Sequence, residues 1–246
     1  MKLDILAIGA HPDDVELGCS GTIITEIGNG KKVGILDLTE GELGTRGSVE
    51  TRYQEAAAAA EIMGVSAREN LKLPDGFFEN KPENQMKLIR VIRKYRPEIV
   101  LANALEDRHP DHGRAARLIA DSCFFSGLRK IETRDDQNNQ QSEWRPKYVF
   151  HYIQDRYLEP SFIVDISDVF EQRMKAIGAF TTQFFNGKNG DDDSPQSYIS
   201  TPEFLESVIA RARMMGKRIG VKFGEGFVTE KRIGIRNFDA LVQVTT

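Results

Sequence analysis

Residues 3–14 read LDILAIGAHPDD, and this stretch decides the fold. Leu3 to Gly9 is an apolar, β-prone run and reads as a buried first strand. Pro12 fixes its own φ and biases His11 away from helix, so the strand ends in a loop. Asp13 and Asp14 then lie at the start of a helix expected over Val15 to Ile27 and ended by Gly28-Asn29-Gly30. Working outward, Lys32 to Leu38 is a second strand, followed by a glycine-rich loop from Glu40 to Ser48 (EGELGTRGS). Val49 to Met63 is a strong helix stopped by Gly64. Asn70 to Leu73 reads as a short strand. Glu83 to Tyr95 carries Met86, Leu88, Ile89 and Ile92 at helical spacing, with Pro97 beyond its end. Glu98 to Asn103 (EIVLAN) is another buried strand, and a helix is expected from about Asp111 to Phe124.

Alternating strands and helices of this kind predict an α/β fold: a Rossmann-like, doubly wound, mostly parallel sheet with helices on both faces. Beyond Gly127 the signals weaken. Glu132 to Arg145 is polar and predicts a mobile loop. Lys147 to Ile153 and Phe162 to Ile166 read as strands, and Val169 to Phe180 and Pro202 to Gly216 as helices. Asn186 to Ser197 (NGKNGDDDSPQS) reads as a loop that could serve as a lid, and Ile219 to Phe227 is expected to return near the sheet. There is no internal repeat and no composition break, so residues 1–246 are expected to form one domain.

The chain has 246 residues, 40% hydrophobic and 28% charged, with a formal charge of −4. A mildly acidic chain without a basic run is a poor nucleic-acid binder. No apolar stretch approaches the roughly 18 residues that cross a bilayer, and the amino-terminal run reads as a strand rather than a signal peptide. Cys19 and Cys123 lack metal or redox spacing and are expected to be buried thiols in a reducing compartment, which places the protein in the cytoplasm.

Three of the four histidines sit in two short acidic clusters, His11-Pro12-Asp13-Asp14 and His109-Pro110-Asp111-His112. Both follow predicted strand ends, where open α/β sheets bind ligands. Brought together, they supply two imidazoles and a carboxylate for one metal, with a carboxylate and an imidazole left for acid and base work. Asp13 and Asp14 are neighbours whose side chains diverge, so one suits a metal and the other a bound water. His109 and His112 share a face on a first helical turn, so one can bind metal while the other reaches the substrate. Asp111 can orient a ring through its N–H. Three protein ligands with an open position are the catalytic zinc pattern, and Fe2+ is the alternative metal. A single ion at roughly 2 Å from each ligand requires His11 and His112 within about 5 Å.

Either cluster alone also suits a helix-capping loop; their joint placement at strand ends favours a site. His151 lies in an apolar run and reads as a packed core residue. Arg46, Arg52 and Arg108 are candidates for the rim of the site. The glycine-rich segment lacks the spacing of nucleotide-binding loops. Tyr198 follows the GDDDSP loop.

The motifs Ala10–Glu16 (AHPDDVE), Gly44–Gly47 (GTRG) and His109–His112 (HPDH) resemble those of the PIG-L/LmbE-like zinc-dependent deacetylases. The likeness is strong from Met1 to about Ala120 and looser beyond. Within that family the chain is similar to the branch that removes acetate from N-acetylglucosaminyl malate in bacillithiol biosynthesis. The resemblance implies metal binding by His11, Asp14 and His112, with Asp13 as general base. It also implies that His109 stabilises the oxyanion or protonates the leaving amine and that Asp111 orients it. Arg52 and Arg108 would lie near the malyl carboxylates, Tyr198 would be a mobile residue near the oxyanion, and the protein would be a homo-oligomer, a hexamer. The expected partner is a small N-acetyl amino sugar. The rival readings are an amidase acting on a thiol–sugar conjugate or a chitobiose-like sugar, and a metal- or sugar-binding module without turnover.

Overall fold

The computed structural model describes residues 1–185, 195–235 and 237–241. Its core grows from β1 (Ile5–Gly9), which pairs in parallel with β2 (Val33–Thr39) on one side and β4 (Ile99–Ala102) on the other. β3 (Ala67–Leu73) extends the sheet beyond β2, and β5 (Tyr148–Tyr152) extends it beyond β4, both parallel. Only β7 (Gly224–Val228) runs the other way: it inserts antiparallel between β5 and β6 (Phe162–Asp165), so β6 points along the parallel strands again. The strand order is β3-β2-β1-β4-β5-β7-β6. The winding reverses between β1 and β4, and there the crevice at the strand ends opens.

Side chains on the strands alternate between two apolar faces. Ile5, Ala7, Val33, Ile35 and Leu101 pack with α1 (Asp14–Gly28), α2 (Val49–Met63), α5 (Phe170–Gly178) and α6 (Pro202–Arg218). Leu6, Ile8, Leu36, Val100 and Ala102 pack with α3 (Pro82–Tyr95) and α4 (Pro110–Phe125). Both faces are apolar, as continuous strand runs require. The single doubly wound α/β unit is thus as expected, as are the two buried free thiols. No helix among the described residues is long and apolar enough to cross a membrane.

Two expectations need correction. The first strand–helix unit holds, but α1 is not one straight helix: Cys19 has φ −152°, and the helix bends there. The bend is stabilised by side chains from the far end of the chain. Glu225 on β7 accepts hydrogen bonds from the freed amides of Gly21 (3.0 Å) and Thr22 (2.7 Å). Arg173 on α5 pairs with Glu225 at 2.8 Å and donates to the freed carbonyl of Leu17 at 2.9 Å. Orphaned helix groups are thereby satisfied inside the core. Gly18 lets the helix close on Tyr152, whose ring atoms lie 2.2 Å from where a Cβ would stand.

The second correction concerns 132–145, expected to be a mobile loop: it is held at Thr133 and Trp144, and the lead-in at 126–131 is anchored as well. Buried Arg93 of α3 donates to the carbonyls of Ser126 (3.0 Å), Leu128 (2.9 Å) and Ile131 (2.6 Å) and to Thr133 Oγ1 (2.9 Å), and Trp144 Nε1 donates to the Pro97 carbonyl at 2.7 Å. Polar composition hid an anchored segment. Most of the Asn186–Ser197 stretch, residues 186–194, lies outside the described residues, and with it the lid reading.

Arg173 and Glu225 are both at least 96% buried (3% and 4% exposed), so removing one charge strands the other. Arg173→Leu should cost about 3–5 kcal/mol in urea unfolding. A loss below about 1 kcal/mol would show that the pair does not hold the bend.

Candidate metal centre and its cleft

The two histidine clusters meet. His11 follows β1, and His109 caps α4 just after β4. One nitrogen from each of His11, His109 and His112 lies within 4.8 Å of the others. The His11–His112 separation therefore meets the requirement for a shared ion. Asp14 spans the pair: its Oδ2 is 3.5 Å from His11 Nδ1 and its Oδ1 is 3.1 Å from His112 Nε2. The outward nitrogens of both rings are tied to carboxylates. His11 Nε2 donates to Asp75 Oδ1 at 3.0 Å and lies 3.3 Å from Asp111 Oδ2; His112 Nδ1 donates to Asp107 Oδ2 at 2.6 Å. Outer carboxylates of this kind fix the tautomer, leaving Nδ1 of His11 and Nε2 of His112 facing Asp14.

Asp14 is positioned by four donors. The His11 amide (3.0 Å) and Asn103 Nδ2 (3.0 Å) reach Oδ2, and Gln154 Nε2 (2.8 Å) and His112 reach Oδ1. Burial works against its charge, but His112 and His11 hold its carboxyl well below the usual range. Burial likewise opposes charge on His112, yet Asp14 and Asp107 lift it to about 9. Burial also opposes charge on His11, but Asp111, Asp14 and Asp75 hold it well above the histidine range. The carboxylates of Asp13, Asp14, Asp75, Asp107 and Asp111 exceed the nearby cations Arg52 and Arg114. Protons on His11 and His112 offset that excess here, and a divalent cation on imidazole and carboxylate donors would offset it equally. The donor set fits zinc or Fe2+.

Asp13 stands apart from this cluster. Its backbone has φ 143°, a region that side chains rarely adopt and that costs about 1–3 kcal/mol. Buried Arg52 holds the turn, its Nη1 donating to Asp13 Oδ2 at 2.9 Å and to the Pro12 carbonyl at 2.7 Å. Burial pushes Asp13 up to about 6, with Arg52 opposing. His109 is only partly buried. Its Nδ1 accepts the Asp111 amide at 3.3 Å, and burial, then His11 and His112, lower its pKa. A neutral His109 therefore carries its proton on Nε2.

Several sequence assignments change on this geometry. Arg52 lines the cleft from a buried position, where it holds the Pro12–Asp13 turn. The Asp111 carboxylate does not face His109. It faces His11, accepts the Gly76 amide at 2.9 Å and pairs with Arg114; only its amide touches His109. Arg108 and Tyr198 do lie at the mouth. Arg108 Nε pairs with Asp155 Oδ2 at 2.8 Å, its guanidinium carbon is 4.2 Å from the Tyr198 ring centre, and the Tyr198 hydroxyl donates to Asp155 Oδ1 at 3.3 Å. Arg46 lines the same cleft, donating from Nε to the Thr182 carbonyl at 2.8 Å. His151 is a packed residue, donating from Nδ1 to the Asn103 carbonyl at 2.8 Å. Sequence reasoning missed Asp75, Asn103, Asp107, Gln154 and Asp155. Asn103 and Gln154 had a signal, as polar residues closing apolar strand runs.

His11, Asp13, Asp14, His109 and His112 line a cleft of about 380 Å³ whose walls include Leu43, Gly44, Gly76, Arg108 and Tyr198. The family model described as GlcNAc-PI de-N-acetylase (PIG-L) matches residues 6–123, both histidine clusters included. The diacetylchitobiose deacetylase of Thermococcus kodakarensis is 33% identical over 190 residues, 73% of this chain and 70% of the relative. The chain belongs to the PIG-L deacetylase family. It is therefore a metal-dependent hydrolase. The conserved protein TT1542 of Thermus thermophilus superposes with a TM-score of 0.83 at 36% identity, covering 95% of this chain and 97% of that one. The N,N'-diacetylchitobiose deacetylase of Pyrococcus horikoshii, solved with its inhibitor MPG, gives a TM-score of 0.76 at 26% identity, covering 91% and 82%.

Asp107→Asn should weaken zinc binding about 10- to 100-fold, read by competition with a chromophoric chelator. An affinity equal to the parent's would remove Asp107 from the supporting set. With His112 lifted to about 9, zinc uptake at pH 7 should release protons, so the calorimetric heat should vary with the buffer's ionisation enthalpy. Buffer-independent heats would show that the rings are already neutral.

Proposed function

We propose that this chain removes acetate from an N-acetylated hexosamine of the chitobiose type. The observation that carries the reading is Asp13: a buried, strained carboxylate beside the His/Asp cluster yet outside it. His11, Asp14 and His112 would hold the divalent metal, zinc or Fe2+. When bound, the metal polarises an acetyl carbonyl and eases ionisation of water. Asp13 acts as general base, taking the proton as water attacks the amide carbon. Arg52 keeps it aimed and ionised. His109, neutral with Nδ1 occupied by the Asp111 amide, presents Nε2–H to the developing oxyanion. The proton on Asp13 then passes to the leaving nitrogen as the C–N bond breaks, giving acetate and a free amine.

The arginines bear on the choice of substrate. Arg52 is engaged by the Pro12–Asp13 turn and Arg108 is paired with Asp155 through Nε, so each already has a carboxylate partner within the chain. The diacetylchitobiose deacetylase relatives support the chitobiose-like reading over N-acetylglucosaminyl malate. The homo-oligomer and the cytoplasmic site of action are carried forward as part of this proposal.

Acetate release from N,N'-diacetylchitobiose should exceed that from N-acetylglucosaminyl malate with zinc- or iron-loaded protein; the reverse order would return the malate reading. Asp13→Asn should keep its zinc yet lose about 10²–10⁴-fold in kcat, and near-parental turnover would reject Asp13 as the base.

The base works ionised, so kcat/KM should fall as pH drops through the Asp13 titration. A bound cation would hold that titration at or below about 6. Arg52 lowers the Asp13 pKa, so Arg52→Met should move this acidic limb to higher pH; an unmoved limb would show that Arg52 does not set the ionisation of Asp13.

A further inference from the structure

We propose that Leu43 and Phe77 form a subsite for the outer, non-reacting ring of an N-acetyl oligosaccharide, a proposal that rests on the deacetylase reading above. Phe77 is 76% exposed and Leu43 62% exposed. Both stand on turns that are fixed in place. The Asp75 carboxylate accepts the Leu43 amide at 3.0 Å, and Glu42 Oε1 accepts the Asp75 amide at 2.8 Å. The Gly76 amide donates to Asp111 at 2.9 Å, and Arg114 donates to the Gly76 carbonyl at 2.8 Å. Gly76 has φ +71°, and the Leu43 Cδ1 lies 3.3 Å from where a Gly76 Cβ would stand. The two loops are thus knitted into one rim, with Leu43 lying over the residue that precedes Phe77.

Single exposed apolar residues need no explanation, but two large ones on adjoining turns of one fixed rim are a candidate contact surface. This rim is continuous with the cleft, since Leu43 and Gly76 line it together with His109 and Tyr198. Its base is also the supporting shell of the cluster, because Asp75 and Asp111 both face His11. At about 380 Å³, the cleft is at the small end of ligand pockets, roughly 300–1,000 Å³. With the reacting acetamide at the histidines, a second ring extends toward the edge lined by Leu43 and Gly76. A pyranose presents an apolar C–H face, and an exposed aromatic ring is a surface such a face stacks on.

The test compares acetate release from N,N'-diacetylchitobiose and from N-acetylglucosamine in the parent, Phe77→Ala and Phe77→Trp. Phe77→Ala should lower the disaccharide-to-monosaccharide ratio of kcat/KM about tenfold, through the disaccharide KM, and Phe77→Trp should restore it. An unchanged ratio, or equal losses on both sugars, would overturn the subsite. So would a change of native mass in Phe77→Ala, which would assign this rim to contact with a second copy of the chain. If the parent releases acetate from neither sugar, the deacetylase reading fails on its own. Saturation-transfer NMR with diacetylchitobiose then decides the subsite: signal lost in Phe77→Ala upholds it, and equal signal rejects it.

Discussion

The site depends on one buried amide. Asn103 follows β4, and its Oδ1 accepts the Ala10 amide at 2.9 Å, across 93 residues of chain. Its Nδ2 donates to Asp14 Oδ2 at 3.0 Å, and its own carbonyl is taken by His151. The same Ala10 carries a carbonyl that accepts both the amide (3.0 Å) and the hydroxyl (2.9 Å) of Thr39 at the end of β2. Three neighbouring strand ends are thereby fixed to one another at the point where the sheet reverses its winding. The parallel pairing of β1 with β4 brings the histidine clusters together; Asn103 sets their register. A side chain offering both a donor and an acceptor in one plane is required, and Asn supplies both.

Around that stitch the structure concentrates negative charge where little water reaches. Carboxylates are rarely buried without partners, because the desolvation cost is several kcal/mol per ion. Here each carboxylate has a defined set of donors, and the histidines sit between them. Asp14 lies between His11 and His112; Asp75 and Asp111 stand behind His11, and Asp107 behind His112. Each ring is held from its outer side, so its inner nitrogen cannot swing away. A deeper layer repeats the pattern. Arg68 forks onto Asp37 (2.8 and 3.0 Å) and reaches Glu16 (2.6 Å), one turn along α1 from Asp13. The helix that carries the catalytic turn is therefore tethered at Glu16 by β2 and β3, and at its bend by α5 and β7.

How much of this was legible follows from where the signals reside. The strands could be read because both faces are buried, which makes runs such as LDILAIG and EIVLAN apolar throughout. The two clusters could be read because His-Pro-Asp is rare and both copies follow such runs. The bend in α1 could not be read, since its partners Arg173 and Glu225 are some 150 to 200 residues away, and a lone Arg or Glu in an amphipathic segment looks solvated. For the same reason Arg52 looked like a rim residue: nothing local to α2 says that its guanidinium reaches the Pro12 carbonyl. Asp75 and Asp107 were hidden in loops where acidic residues are ordinary. Polar composition misdescribed 132–145, because its anchors are the Thr133 hydroxyl and the Trp144 indole, whose partners Arg93 and Pro97 lie some 40 residues earlier in the chain.

The rival view, a module that binds a metal or a sugar without turnover, founders on Asp13. A binding site is served by His11, Asp14 and His112 alone, and a relaxed backbone would serve it better. Instead the chain holds residue 13 at φ 143° and commits a buried arginine to its carboxylate. It leaves that carboxylate at the cleft wall with a pKa pushed up to about 6. Strain of this kind persists only where surrounding contacts enforce it, and it gathers where geometry serves chemistry. A buried carboxylate adjacent to a metal-capable cluster but hydrogen-bonded to none of its rings suits a reaction in which a proton must leave a nucleophile. The cost of the strained turn makes physical sense as the placement of a base.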